Sequence, residues 1–147
     1  MVLLREPVAR AISNYRHQVQ RGDESRSPVE AFIDPEANGP SRPNHYKRRG
    51  LYADQLERIL SVYRRDHLLG LRSEDLFQHP AATYAQVLRF LQLDPSPLPR
   101  EAMAENVGRI TIAIPDVVRD HLRDFYRQPN EKLQQLLPEF PLWSETA

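Results

Sequence analysis

The sequence predicts an α/β fold that is mostly helical and rests on a small parallel sheet, in a single domain over residues 1–147. Three observations predict it. Two short apolar runs, Val2–Leu4 and Leu68–Leu71, read as buried strands. Helical periodicity fills the chain between them, so the order strand–helices–strand fits a parallel crossover. Beyond the second strand the chain is amphipathic helix broken by prolines, which number thirteen in all.

Each element has its own warrant. Pro7 stands at a first helical position, where its missing N–H is no loss. Val8, Ile12, Tyr15 and Val19 then follow the i, i+4, i+7, i+11 pattern of a core stripe, with Arg10, Ser13, Asn14 and His17 on another side. Ser27 is an N-cap for a short helix from Pro28 to Ile33, with Glu30 in the capping-box position. Asp34 to Pro43 has loop composition. Tyr52, Leu56, Ile59, Leu60 and Tyr63 mark a core-facing helix between Leu51 and Tyr63. Ser73 is placed to cap a turn over Glu74 to Gln78. Pro80 opens a helix with Tyr84, Val87, Leu88 and Leu91 on one face. Pro115 opens another through Tyr126, with Val118, Leu122 and Phe125 inward, and Pro129 starts the last, with Leu133, Leu136 and Leu137 inward. Phe140 and Trp143 are expected to pack back onto the core.

Composition narrows the function classes. Twenty Lys and Arg balance twenty Asp and Glu, so no general field favours nucleic acid or a membrane surface. No apolar run approaches the roughly 20 residues that span a bilayer, and no signal peptide is visible. Cysteine is absent, which removes thiol and disulfide chemistry and suits a cytoplasmic setting. The five histidines share no ligand spacing, so no metal site is expected.

Three stretches carry chemistry. At the first, Arg5 ends a strand, a helix begins at Pro7, and the Ser13 hydroxyl lies about two turns along. A helix N-terminus attracts anions, and arginine presents a planar fork to phosphate oxygens. The alternative is that Arg10 pairs with Glu6 and Ser13 is solvated. At the second, Lys47, Arg48 and Arg49 are flanked by Tyr46 and Tyr52, a group suited to an anionic sugar or a nucleotide, or else a solvated loop before a helix. At the third, Asn106-Val107-Gly108-Arg109 joins a glycine that permits close backbone approach to an arginine that can meet phosphate, or else forms an ordinary turn. His17, one turn after Ser13, is either a general base or acceptor contact or a solvated helix residue.

The segment Leu4-Arg5-Glu6-Pro7-Val8-Ala9-Arg10-Ala11-Ile12-Ser13-Asn14-Tyr15 resembles the 3′-phosphate-binding segment of sulfotransferases that use 3′-phosphoadenosine 5′-phosphosulfate, most of all the heparan-sulfate-type branch and its bacterial relatives. Further similar stretches follow in order: Arg49 to Arg58, Leu69 to Leu76 with Pro80, Asn106 to Arg109, and Phe125 to Asn130 with Trp143. The resemblance implies an incomplete, P-loop-like, three-layer fold, and Arg5 and Ser13 as ligands of the donor's 3′-phosphate. It implies that Gly108 and Arg109 meet the donor, although Val107 stands where relatives often carry lysine. It puts His17 near the reaction centre, and leaves Lys47, Arg48, Arg49 and Tyr52 as candidates for the acceptor. The implied partners are a sulfonucleotide and a glycan or small-molecule acceptor, with no metal required.

The resemblance also implies a preceding strand and a Lys-x-Gly-Thr-Thr/Ser-type loop for the 5′-phosphosulfate. No such loop occurs here: the glycines are at 22, 39, 50, 70 and 108, outside any phosphate-loop pattern. The expectation is therefore the C-terminal part of a sulfotransferase, inactive alone, with an open sheet edge that favours association. The alternatives are a non-catalytic interaction module of the same fold and a nucleic-acid-binding helical domain using Lys47, Arg48 and Arg49.

Overall fold

The two apolar runs pair in parallel, as the crossover order predicts. The computed structural model describes residues 1–34, 46–95 and 111–143. β1 (Val2–Leu4) lies beside β2 (Gly70–Arg72), with Val2, Leu3 and Leu4 opposite Gly70, Leu71 and Arg72. The sheet has these two strands among the described residues. β2 starts two residues later than its apolar run suggests. Leu68 is buried, but it follows a 3₁₀ turn (Arg65–His67) and packs with the second core described below.

Helix α1 (Pro7–Arg21) turns its predicted stripe inward: Val8, Ile12 and Tyr15 are buried. It stops at Gly22, whose φ of 78° is a left-handed conformation that glycine adopts without strain. α2 (Pro28–Phe32) carries the predicted capping box. The Glu30 amide donates to Ser27 Oγ, and the Ser27 amide donates to the Glu30 carboxylate. α3 (Tyr52–Leu60) buries Tyr52 and Leu56 but ends before Tyr63, which is exposed. α4 (Ser73–Gln78) starts at Ser73 with no side-chain cap. The strand runs on to Arg72, which reaches forward to Asp75 at 2.6 Å.

Two helices depart from their predicted faces. α5 (Pro80–Phe90) packs on α4 and buries Thr83 and Ala85, leaving Tyr84 and Leu91 exposed. α6 (Asp116–Leu136) is one helix, not two, and runs through Pro129. Proline removes one helical hydrogen bond. Here Val118, Leu122, Tyr126 and Leu133, all 1% exposed or less, form one buried stripe across it, so burial on both sides outweighs the local break. Tyr126, rather than Phe125, completes the stripe.

α6 joins two apolar cores. The first gathers Val8, Ile12 and Tyr15 of α1 with Phe32, Tyr46, Val118, Leu122 and Tyr126. Tyr15, Phe32 and Tyr46 stack in a triangle with ring centroids 5.4–5.6 Å apart. The second gathers Leu4, Tyr52, Leu56, Leu68, Leu133, Leu137 and Phe140. Trp143 returns to this core as expected, 5.3 Å from Phe140 between ring centroids. No helix among the described residues is long and apolar enough to cross a membrane.

Candidate functional site

The polar side of α1 forms one wall of a cleft of about 570 Å³. Ala9, Ser13, Arg16 and Gln20 line it at the i, i+4, i+7, i+11 positions, each one residue after a member of the buried stripe. Packing of Val8, Ile12 and Tyr15 therefore aims that row into the cleft. Arg5 enters from the end of β1, and Arg10 and His17 from α1; Arg119 comes from α6 and Thr111 from the segment before it. Among the described residues no carboxylate lines the space. Arg5, Ser13 and His17, selected from the sequence, are thus brought together.

The backbone behind Arg5 is held from two sides. The Tyr52 hydroxyl donates to the Arg5 carbonyl at 2.8 Å, and the Glu6 amide donates to the Glu74 carboxylate at 2.9 Å. Trp143 Nε1 donates to the other Glu74 oxygen at 3.0 Å. Burial pushes the Tyr52 hydroxyl up to about 12, so it remains a donor at neutral pH. Tyr52 is placed by this bond as a support of Arg5 rather than as a lining residue.

The free amides of α1 do not wait for an external anion, because the Glu6 carboxylate accepts from the Val8 and Ala9 amides. The N-terminus is already capped. Glu6 is spent on this cap and forms no ion pair with Arg10 among the described residues, and Arg10 Nη1 is buried without a hydrogen-bond partner.

The cationic trio separates. Lys47 is buried, not solvated: its ammonium donates to the Phe32 carbonyl at 2.9 Å and lies 3.0 Å from His121 Nε2, 4.9 Å from the Phe125 ring centroid. Burial pulls the Lys47 amine below its ordinary value. Burial, then the neighbouring Lys47 charge, pulls His121 down, with Asp124 opposing. Arg48 and Arg49 are exposed and do not line the cleft. Gly108 and Arg109 lie outside the described residues, as do most of the loop expected at Asp34 to Pro43 and residues 96–110 in general.

Sequence reasoning passed over Arg16, Arg119 and Glu74. Arg16 donates from Nε and Nη2 to the Ile112 carbonyl at 3.2 and 2.7 Å, which fastens the segment before α6 to α1. The one-residue offset from the core stripe would have found Arg16. Nothing local in the sequence marks Arg119 or Glu74, since the α1 residues that share the cleft with the one and the Glu6 amide that meets the other lie more than sixty residues away. A larger concavity of about 1070 Å³ runs along α6, but it mixes acids with bases: Asp120 pairs with Arg123 and Asp124 with Arg127. Only the α1 cleft is free of acids among these two.

The chain matches the family described as the sulfotransferase domain over residues 1–135. Its fold is similar to that of a sulfotransferase from Alicyclobacillus acidocaldarius, with a TM-score of 0.72 and 24% identity, over 95% of this chain and 54% of that one. The chain thus spans about half the length of that solved structure. No curated protein sequence matches it.

Proposed function

The chain belongs to the sulfotransferase-domain family, and we propose that its cleft binds 3′-phosphoadenosine 5′-phosphosulfate by the 3′-phosphate in the service of sulfuryl transfer. The observation that carries the proposal is a cleft that Arg5 and Ser13 line together, with no carboxylate among its described lining residues. In this reading Arg5 offers its guanidinium and Ser13 its hydroxyl to the phosphate oxygens. Gly108 and Arg109, shortly before the cleft residue Thr111, add contacts to the donor. Support for Arg5 from Tyr52 and Glu74 favours a preorganised anion contact over a wandering surface side chain.

In an enzyme that also supplies the 5′-phosphosulfate loop, the reaction is transfer of the sulfuryl group to a hydroxyl or amine of a glycan or small molecule. The acceptor oxygen or nitrogen attacks sulfur, the bond from sulfur to the 5′-phosphate oxygen breaks, and 3′-phosphoadenosine 5′-phosphate leaves. The acceptor's proton passes to a base, for which His17, exposed at the cleft, is the candidate. Positioning and charge stabilisation supply most of the catalysis, as in phosphoryl transfer.

Calorimetric titration of the chain with 3′-phosphoadenosine 5′-phosphate, against adenosine 5′-phosphate, tests the reading. Binding is expected to need the 3′-phosphate. Arg5→Ala is expected to weaken it roughly 10-fold to 150-fold, the value of a charge-assisted contact of about 1.5–3 kcal/mol. Unchanged affinity in Arg5→Ala would overturn it.

A further inference from the structure

The cleft holds a charge that the proposed contact leaves unused. Most arginines that reach a carboxylate do so on their own element or close to it: Arg26 with Glu24, Arg72 with Asp75, Arg123 with Asp120 and Arg127 with Asp124. Arg119 does not, among the described residues, although Asp120 and Arg123 are its near neighbours on α6. Its half-buried side chain lines the α1 cleft together with Arg5 and Arg10. Like charges gathered in a partly desolvated space repel, and a bound anion relieves that repulsion.

The position of Arg119 is built rather than incidental. It stands in the first turns of α6 between Val118 and Leu122, both 0% exposed, so packing fixes the turn that carries it. The segment just before that turn is tied to α1 by Arg16. Arg5 and Arg119 therefore reach one space from two rigidly joined elements. A planar guanidinium can take two oxygens of one phosphate, so two arginines from separate elements suit one dianion.

We propose that Arg119 is a second arginine for the 3′-phosphate, meeting the anion from α6 while Arg5 and Ser13 meet it from β1 and α1. This rests on the reading of the cleft as a donor site. It makes Arg119 a residue that selects for the 3′-phosphate, because a nucleotide without that group gains nothing from it.

The test is titration of the full chain and of Arg119→Gln, Arg119→Lys, Arg123→Gln and Arg5→Ala with 3′-phosphoadenosine 5′-phosphate and with adenosine 5′-phosphate. Arg119→Gln should weaken the first about 10-fold to 100-fold and leave the second unchanged, with an unaltered melting temperature. Arg119→Lys should fall between, since it keeps the charge and loses the fork. Arg123→Gln, one turn on and paired to Asp120, should bind like the parent. Parent-like affinity in Arg119→Gln alongside a loss in Arg5→Ala overturns the role of Arg119 and leaves the cleft reading intact. An equal loss for both nucleotides marks a structural role and also overturns it. If the parent chain does not prefer the 3′-phosphorylated nucleotide, or Arg5→Ala binds as well as the parent, the cleft reading falls and Arg119 falls with it.

Discussion

Glu24 is 6% exposed and would be costly there without partners. It has three: the Arg26 amide at 3.0 Å, the Arg26 guanidinium at 2.6 and 2.9 Å, and the Tyr46 hydroxyl at 2.7 Å. Chiefly through the Arg26 side chain, its carboxyl is held at about 2, against an ordinary 4.5. A carboxylate whose folded value is depressed stabilises the fold above its unfolded value, and that stability is lost as pH falls from about 4.5 toward about 2. A depression of this size corresponds to roughly 3 kcal/mol. Denaturant titrations at pH 6 and pH 3 should show about 2 kcal/mol of that loss in the parent chain, since pH 3 still lies above the folded value, and a clearly smaller one in Glu24→Gln; parallel losses would sink the idea. Of this network the sequence shows only a polar break at residues 22–27. A charged residue surrounded by polar neighbours looks solvated until Tyr46, twenty-two positions on, is brought over it. Lys47 is the same case, a cation in a run of three that burial alone sets apart from Arg48 and Arg49.

Among the elements, α1 was legible because its periodicity and its leading proline are local signals. From that stripe alone the cleft-facing positions Ser13 and His17 follow. The faces of α5 and the span of α6 were not legible, because they depend on which neighbour is present. The 3₁₀ turn Arg48–Gly50 shows how close such contacts are. A Cβ on Gly50 would lie 2.7 Å from the Tyr126 hydroxyl, which donates to the Lys47 carbonyl at 2.8 Å. Gly50→Ala should therefore cost about 1–3 kcal/mol through overpacking. Tyr126→Phe should cost about 1 kcal/mol for the lost hydrogen bond. In the double variant the ring carbons Cε1 and Cζ still lie 2.8 and 2.9 Å from that Cβ, so most of the overpacking remains and the two costs should come close to adding. Urea denaturation of the four proteins measures both, and a Gly50→Ala variant as stable as the parent would refute the contact.

At the scale of the whole molecule, strand–helices–strand order was enough to predict the parallel pair, whereas the division of the interior into two cores was not. That division follows from α6 passing continuously through Pro129, which local rules forbid. Val118, Leu122 and Tyr126 serve the first core, beside the cleft wall; Leu133 and Leu137 serve the second, beside the strands. A helix shared in this way should make the two cores unfold together. The chain's single tryptophan allows a direct check. Trp143 reports on the second core alone, through Phe140, Tyr52 and its bond to Glu74. Leu122 belongs to the first core and is 0% exposed. Leu122→Ala should destabilise by about 2–5 kcal/mol through the cavity it leaves. With α6 continuous, the Trp143 fluorescence transition should move to lower denaturant by the same amount as the helical signal. If the fluorescence transition stays at the parent midpoint while helicity is lost earlier, the cores unfold independently, and the cleft would then be coupled to the strand end carrying Arg5 only through α1.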